Sequence, residues 1–140
     1  MVVAVAFEVG GDIASDDLKN IADGLDAHSL ENVGFVWEPF NIIARDNGKM
    51  IAGLTGFVAG AVALVKYLWV GKKYRGAGLG RELMNRVDIL VKERNCKVIR
   101  VDTFSYQAPE FYKKMGYTLG ATIPGYFEGQ DRFFFEKKVG

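Results

Sequence analysis

Residues 61–104 read AVALVKYLWVGKKYRGAGLGRELMNRVDILVKERNCKVIRVDTF. An apolar run, 61–70, halts at Gly71, and a basic, glycine-rich loop follows from Lys72 to Gly80. Leu79, Leu83, Met84, Val87, Leu90 and Val91 then recur at the spacing of one helix face, with Arg81, Glu82, Asn85, Arg86 and Lys92 on the other. Asn95 suits the helix end, and residues 97–104 return to a strand pattern. Strand, glycine loop, helix and strand make a βαβ unit.

Upstream, Phe40 to Arg45 reads as a strand, Asp46-Asn47-Gly48-Lys49 as a hairpin turn, and 50–58 as a second strand. The stretch Met50 to Val70 carries Lys66 as its only charge and contains Gly56-x-x-x-Gly60. Its uncharged part, 50–65, is 16 residues long, short of the ~20 that a membrane helix needs. Two adjacent buried strands turning near Ala59-Gly60 account for it, and no membrane partner is expected. Val-rich residues 2–9 read as another short strand. They lack a basic leader and are cut by Glu8, so no secretory signal is expected and the location is expected to be cytoplasmic. Ser15 reads as a helix N-cap followed by Asp16 and Asp17, with Leu18, Ile21, Ala22 and Leu25 at helical spacing. Residues 28–39 read as irregular.

Downstream, Ala108, Phe111, Tyr112 and Met115 give a short helix stopped by Gly116. Residues 117–123 and 132–138 read as closing strands around Pro124-Gly125. Early antiparallel strands with one central crossover argue for an α+β fold. The whole 1–140 reads as a single domain.

The chain of 140 residues holds 18 Lys+Arg against 17 Asp+Glu, a net charge of +1, so nothing points to nucleic acid. It has one cysteine, Cys96, and one histidine, His28. That excludes an internal disulfide and a structural zinc site, and no metal is expected. Chemistry must rest on backbone groups, carboxylates, Tyr, Lys or Arg. Cys96 reads as a small buried apolar residue at the start of its strand, and His28 as a loop residue.

Gly76, Gly78 and Gly80 precede a helix whose first turn offers unpaired N–H groups and the positive end of its dipole. With no side chains in the way, a pyrophosphate approaches those groups closely. Lys72, Lys73, Arg75 and Arg81 add positive charge. No Gly-Lys-Ser/Thr follows, which excludes a P-loop. Arg81 stands where a dinucleotide fingerprint needs its third glycine, although Asp102 lies where a ribose-binding acid would.

The segment Arg75-Gly76-Ala77-Gly78-Leu79-Gly80, placed after Leu68-Trp69-Val70, resembles the Arg-x-x-Gly-x-Gly loop of the GNAT N-acetyltransferase superfamily. About 30 residues on, Ala108-Pro109-Glu110-Phe111-Tyr112-Lys113-Lys114-Met115-Gly116-Tyr117 resembles that family's A-x-x-Y-x-x-x-G-F/Y segment. The resemblance implies a mixed, mostly antiparallel sheet of about six to seven strands with helices on both faces, and a V-shaped splay between strands 61–70 and 97–104. It also implies acetyl-CoA as cosubstrate. Arg75, Gly76, Ala77, Gly78, Leu79, Gly80 and Arg81 would wrap the pyrophosphate. Leu68 and Val70 would pair with pantetheine, with Ser105, Ala108 and Tyr112 as further contacts.

By the same resemblance, an N–H near Val70 would hold the oxyanion and Tyr112 would protonate the departing thiolate. Ser105 stands where many members carry Asn. Strand 61–70 lacks the glutamate that often serves as base; Asp102 is the first candidate to replace it, ahead of Glu38, Glu128 and Asp131. The acceptor would be a small-molecule or peptide amine. The missing carboxylate keeps a second reading open, a catalytically silent acyl-CoA binding module. The run Phe133-Phe134-Phe135 cannot face one side of a strand, so part of it is expected at a homodimer contact.

Overall fold

The computed structural model describes residues 4–139. Its contacts divide the chain into two units, one ending at Val36 and one beginning at Trp37.

In the first unit, residues 4–10 form no strand, contrary to the expectation from their valines; positions 2 and 3 lie outside the described residues. Helix α1 spans Ser15–Asn32. Its N-cap is Ala14, which offers no side-chain bond, so Ser15 is already helical. The helix runs on through His28, in the stretch read as irregular, and ends where Val33 and Gly34 both donate to the Ser29 carbonyl. Gly34, at φ +79°, provides the left-handed step that such an ending requires.

The second unit holds β1 (Glu38–Asp46), β2 (Lys49–Ala59), β3 (Val62–Val70), α2 (Leu79–Glu93), β4 (Val98–Phe104), α3 (Pro109–Lys114), β5 (Thr118–Phe127) and β6 (Gln130–Lys138). Six strands form one sheet in the order β1-β2-β3-β4-β6-β5. Every neighbouring pair is antiparallel except β3–β4, which α2 joins as a parallel crossover. This is the mixed, mostly antiparallel α+β sheet expected. The apolar stretch 50–70 is the β2–β3 hairpin; among the described residues no helix is long and apolar enough to cross a membrane.

One face of the sheet carries the core. Ala52, Leu54, Ala63, Val65, Ile99, Val101 and Phe135 meet Leu83, Met84, Val87 and Val91 of α2, and Tyr112 and Met115 close one end. Each fully buried aliphatic side chain of this kind contributes about 1.5–3 kcal/mol. Cys96 is buried just before β4, and burial pushes its thiol pKa up, as suits an inert apolar filler. Phe135 points into this core, whereas Phe134 lies on the opposite face beneath the Arg132 guanidinium. The three phenylalanines therefore do divide between faces.

Two irregularities shape the sheet. β2 pairs Thr55 with Tyr67 but Gly56 with Val65, so Lys66 is an extra residue in β3, a β-bulge. Gly56 is required there: a Cβ would stand 2.0 Å from the Leu64 carbonyl oxygen. The second irregularity corrects the expected position of the last hairpin. β5 continues through Pro124 and Gly125 to Phe127, and the chain turns at Glu128-Gly129. Pro124-Gly125 sits in an irregularity of β5, with the Gly125 N–H donating to Asp131 Oδ1 at 2.9 Å. A proline lacks a ladder N–H, so the same residue that signals a turn also fits a bulge.

Candidate active site

β3 and β4 pair only from Val62↔Val98 to Val65↔Val101. Beyond that point they separate, and the separation begins at the Lys66 bulge. The diverging ends leave a cleft of about 950 Å³. Val101 and Thr103, on the core face of β4, line it together with Asp102 from the opposite face. The cleft therefore opens through the sheet to both faces.

On the core side, the cleft is floored by the loop between β3 and α2. Gly76 and Gly78 take φ of +81° and +86°, and a Cβ on either would meet nothing within 4 Å. The two positions thus need glycine for backbone conformation, and they leave open space before the helix. The Glu82 N–H makes the first helical bond, to the Gly78 carbonyl at 2.9 Å. The N–H groups of Leu79, Gly80 and Arg81 precede it at the positive end of α2. Gly80 has a different job: its Cα lies against the Phe111 ring, where a Cβ would stand 3.4 Å from ring carbon. Arg75 folds back so that its Nε donates to the Val70 carbonyl at 3.0 Å, fixing the end of β3 to the loop.

Along the separated part of β3, backbone groups alternate in direction, so Leu68 and Val70 turn theirs to the same edge. Both residues line the cleft. The other wall is the segment after β4. A single helical turn, Ser105–Gln107, is held by Gln107 Oε1 accepting from the Phe104 N–H at 3.1 Å and by Gln130 Oε1 accepting from the Tyr106 N–H at 2.9 Å. Ala108 follows at φ +58°, a left-handed position that is uncommon for a residue with a Cβ, and opens α3.

Tyr112, on α3, is 6% exposed and touches Phe111, Tyr117 and Phe135 edge-on or tilted. It belongs to the core and lines the cleft as well. Burial, and then the charge of Asp102, push its phenol up to about 12. Its proton therefore stays in place at neutral pH. Asp102 Oδ2 accepts from Arg132 at 2.6 Å (Nη2) and 2.8 Å (Nε). Arg132 in turn donates to the Tyr126 hydroxyl and lies over the Phe104, Tyr126 and Phe134 rings. Asp102 is the one carboxylate among the described residues that line the cleft.

The residues singled out in the sequence fall into two groups. Leu68, Val70, Arg75, Gly76, Gly78, Leu79, Gly80, Arg81, Asp102, Ala108 and Tyr112 all line the cleft. Ala77 and Ser105 do not. The Ser105 hydroxyl instead accepts from the Asp131 N–H at 2.9 Å, tying the turn to β6. Glu38 faces Arg94 at 3.9 Å, Asp131 serves Gly125, and Glu128 lies in the last turn; none lines the cleft. His28 is exposed on α1, its Nδ1 3.3 Å from Asn32 Nδ2. Lys66, Tyr67, Trp69, Tyr106 and Phe111 line the cleft without having been singled out for it. The sequence carries no signal for the first three, because the bulge shows only in the fold, where Val65 is buried, Lys66 and Tyr67 are both exposed, and Leu68 and Val70 face inward again.

Known proteins resemble this chain in both sequence and fold. A family model described as an acetyltransferase (GNAT) domain matches residues 34–119. A blasticidin-S acetyltransferase from Streptomyces morookaense is 40% identical over 85 residues, 60% of this chain and 62% of that relative. The matched segment is thus less than two thirds of the relative's length. Among solved structures, an acetyltransferase from Bacillus cereus ATCC 14579 superposes with a TM-score of 0.77 at 26% identity, over 94% of this chain and 98% of the other. The ribosomal-protein-S18-alanine N-acetyltransferase from Escherichia coli superposes with a TM-score of 0.67 over 92% of each chain. At 18% identity it speaks for the fold alone.

Proposed function

The chain belongs to the GNAT acetyltransferase family, and from that membership we propose that it transfers the acetyl group of acetyl-CoA to a primary amine by direct attack in a ternary complex, within one catalytic domain. Acetyl-CoA supplies the activated acyl group and a thiol leaving group. The open space over Gly76 and Gly78 beside the α2 N-terminus suits its pyrophosphate, with Arg75 and Arg81 adding charge. The edge of β3 left free by β4 offers Leu68 and Val70 backbone groups to an extended amide-bearing arm, as a missing strand would.

In this reading a β3 N–H near Val70 holds the oxyanion as the amine attacks the thioester carbon. Asp102, with Oδ2 on Arg132, takes the proton released by the amine directly or through water. Tyr112 gives its proton to the departing sulfur; a phenol that keeps its proton at neutral pH in a dry wall is a donor that is always loaded. Much of the rate then comes from holding amine and thioester together, which asks little of side-chain chemistry. The observation that carries the proposal is the coincidence of the β3–β4 separation with the glycine loop and Tyr112 around one cleft.

The alternative, an acyl-CoA binding module without catalysis, draws on the lack of a carboxylate on β3. Asp102 in the cleft weighs against it. The test is a panel of primary amines with acetyl-CoA, read by thiol release. Transfer to at least one amine is expected; tight acetyl-CoA binding with no transfer to any would favour the silent module.

A further inference from the structure

We propose that the acceptor is a small amine carried on a flat, unsaturated ring and bearing a single positive charge, seated at the Asp102 mouth of the cleft. This deepens the acetyl-transfer reading and rests on it.

Two observations on the cleft lining carry the proposal. The first is aromatic surface. Tyr67, Trp69 and Tyr106 line the cleft and remain 64%, 48% and 65% exposed. Large rings left open beside a cleft are surface that a ligand covers, and rings favour flat partners by stacking or edge contact. Tyr106 is set for this role. Its ring lies parallel to Phe104 (6° between planes, 6.1 Å between centroids), and its backbone is anchored to Gln130. A fixed ring loses little freedom when it binds.

The second observation is charge. Asp102 has Arg132 on Oδ2, and Lys66, the first residue of β3 past the last β3–β4 pair, lines the same cleft. Lys66 rests over the Phe57 and Tyr67 rings at 5.8 and 5.2 Å and has no carboxylate partner among the described residues. One acceptor ammonium finds a counter-charge at Asp102. Any further positive group adds to Lys66, which lines the same cleft, and like charges brought together in a cleft repel. Polyamines and other polycations are therefore poor acceptors.

The experiment compares three probes on the full chain by thiol release: phenethylamine, cyclohexylethylamine and spermidine. Acetyl-CoA affinity is measured in parallel by calorimetry. Phenethylamine should exceed its saturated counterpart in kcat/KM by about tenfold, as ring–ring contact predicts, and spermidine should be the poorest. Trp69→Ala and Tyr106→Ala should each erase most of that preference while leaving acetyl-CoA affinity unchanged, and Trp69→Phe should keep it. With acetyl-CoA bound, equal use of the ring and saturated amines, a preference for spermidine, or no transfer to phenethylamine would overturn the inference about the acceptor. Failure to bind acetyl-CoA would overturn the underlying reading instead.

Discussion

Strand β3 contains two regions under opposite demands. From Val62 to Val65 it is paired on both sides and its inward residues are core. From Tyr67 to Val70 it pairs only with β2, and its other edge borders the cleft. The change falls at one bulge, made by the extra residue Lys66 and permitted by the absence of a side chain at Gly56. The difference shows how a sheet is opened without being lost: the core half holds the strand in register while the bulge re-aims the half beyond it. Substitutions in the two halves should separate stability from activity.

The largest effect is expected where the halves meet. Gly56→Ala would drive a methyl into the Leu64 carbonyl oxygen, so a stability loss of about 3 kcal/mol or more is expected in chemical denaturation. Acetyl-CoA affinity should fall with it, because the bulge sets the separation. A cavity in the core half should act on stability alone. Met84→Ala, at a fully buried site on α2, should cost about 2–5 kcal/mol while steady-state kinetics below the new melting range show an unchanged KM for acetyl-CoA.

The site half should show the reverse. Tyr112→Phe keeps the ring packing and should change stability by under about 1 kcal/mol, yet lower kcat by about a hundredfold with acetyl-CoA affinity intact. Because the Tyr112 phenol is pushed up to about 12, no limb of the pH–rate profile below pH 9 should be lost in that variant. The same burial makes an alkaline signature. The folded chain keeps the Tyr112 proton after the unfolded chain has lost its own, so stability is full below about pH 10 and declines as pH rises through about 12.

Tyr117 reinforces this, since burial, and then the charges of Asp88 and Tyr112, raise it in the same direction. Its hydroxyl is buried with no hydrogen-bond partner among the described residues. Tyr117→Phe should therefore be the mildest change, neutral to stabilising by about 1 kcal/mol at pH 7, with alkaline unfolding shifted upward in a pH titration of circular dichroism.

Much of this arrangement was legible in the sequence because local patterns and tertiary structure agree there. The 79–91 apolar stripe is the buried face of α2, Asn47-Gly48 is a hairpin turn, and the glycines after β3 do floor the cleft. The places that resisted reading are those where pairing overrides local preference. Residues 4–10 carry strand-forming valines yet form no strand. Pro124-Gly125 carries a turn signal, yet β6 holds β5 on past it to Phe127. Lys66 and Tyr67 break the alternation of β3, and a bulge leaves no signature in composition. Ser105 was expected at the cofactor but is engaged by Asp131, a partner 26 residues away that no local pattern reveals.

The central claim is that the separated edge of β3 and the adjoining glycine loop form one binding surface for acetyl-CoA. Calorimetric titration of the full chain with acetyl-CoA, beside Gly78→Val, tests it most directly. Gly78 has open space for a side chain but a φ of +86° that a β-branched residue resists, so the variant disturbs the loop without filling the core. One site per chain and at least about tenfold weaker binding in the variant are expected, since its loop can no longer aim its N–H groups at a phosphate. Absence of binding to the parent chain, or equal affinity in the folded variant, would contradict the account.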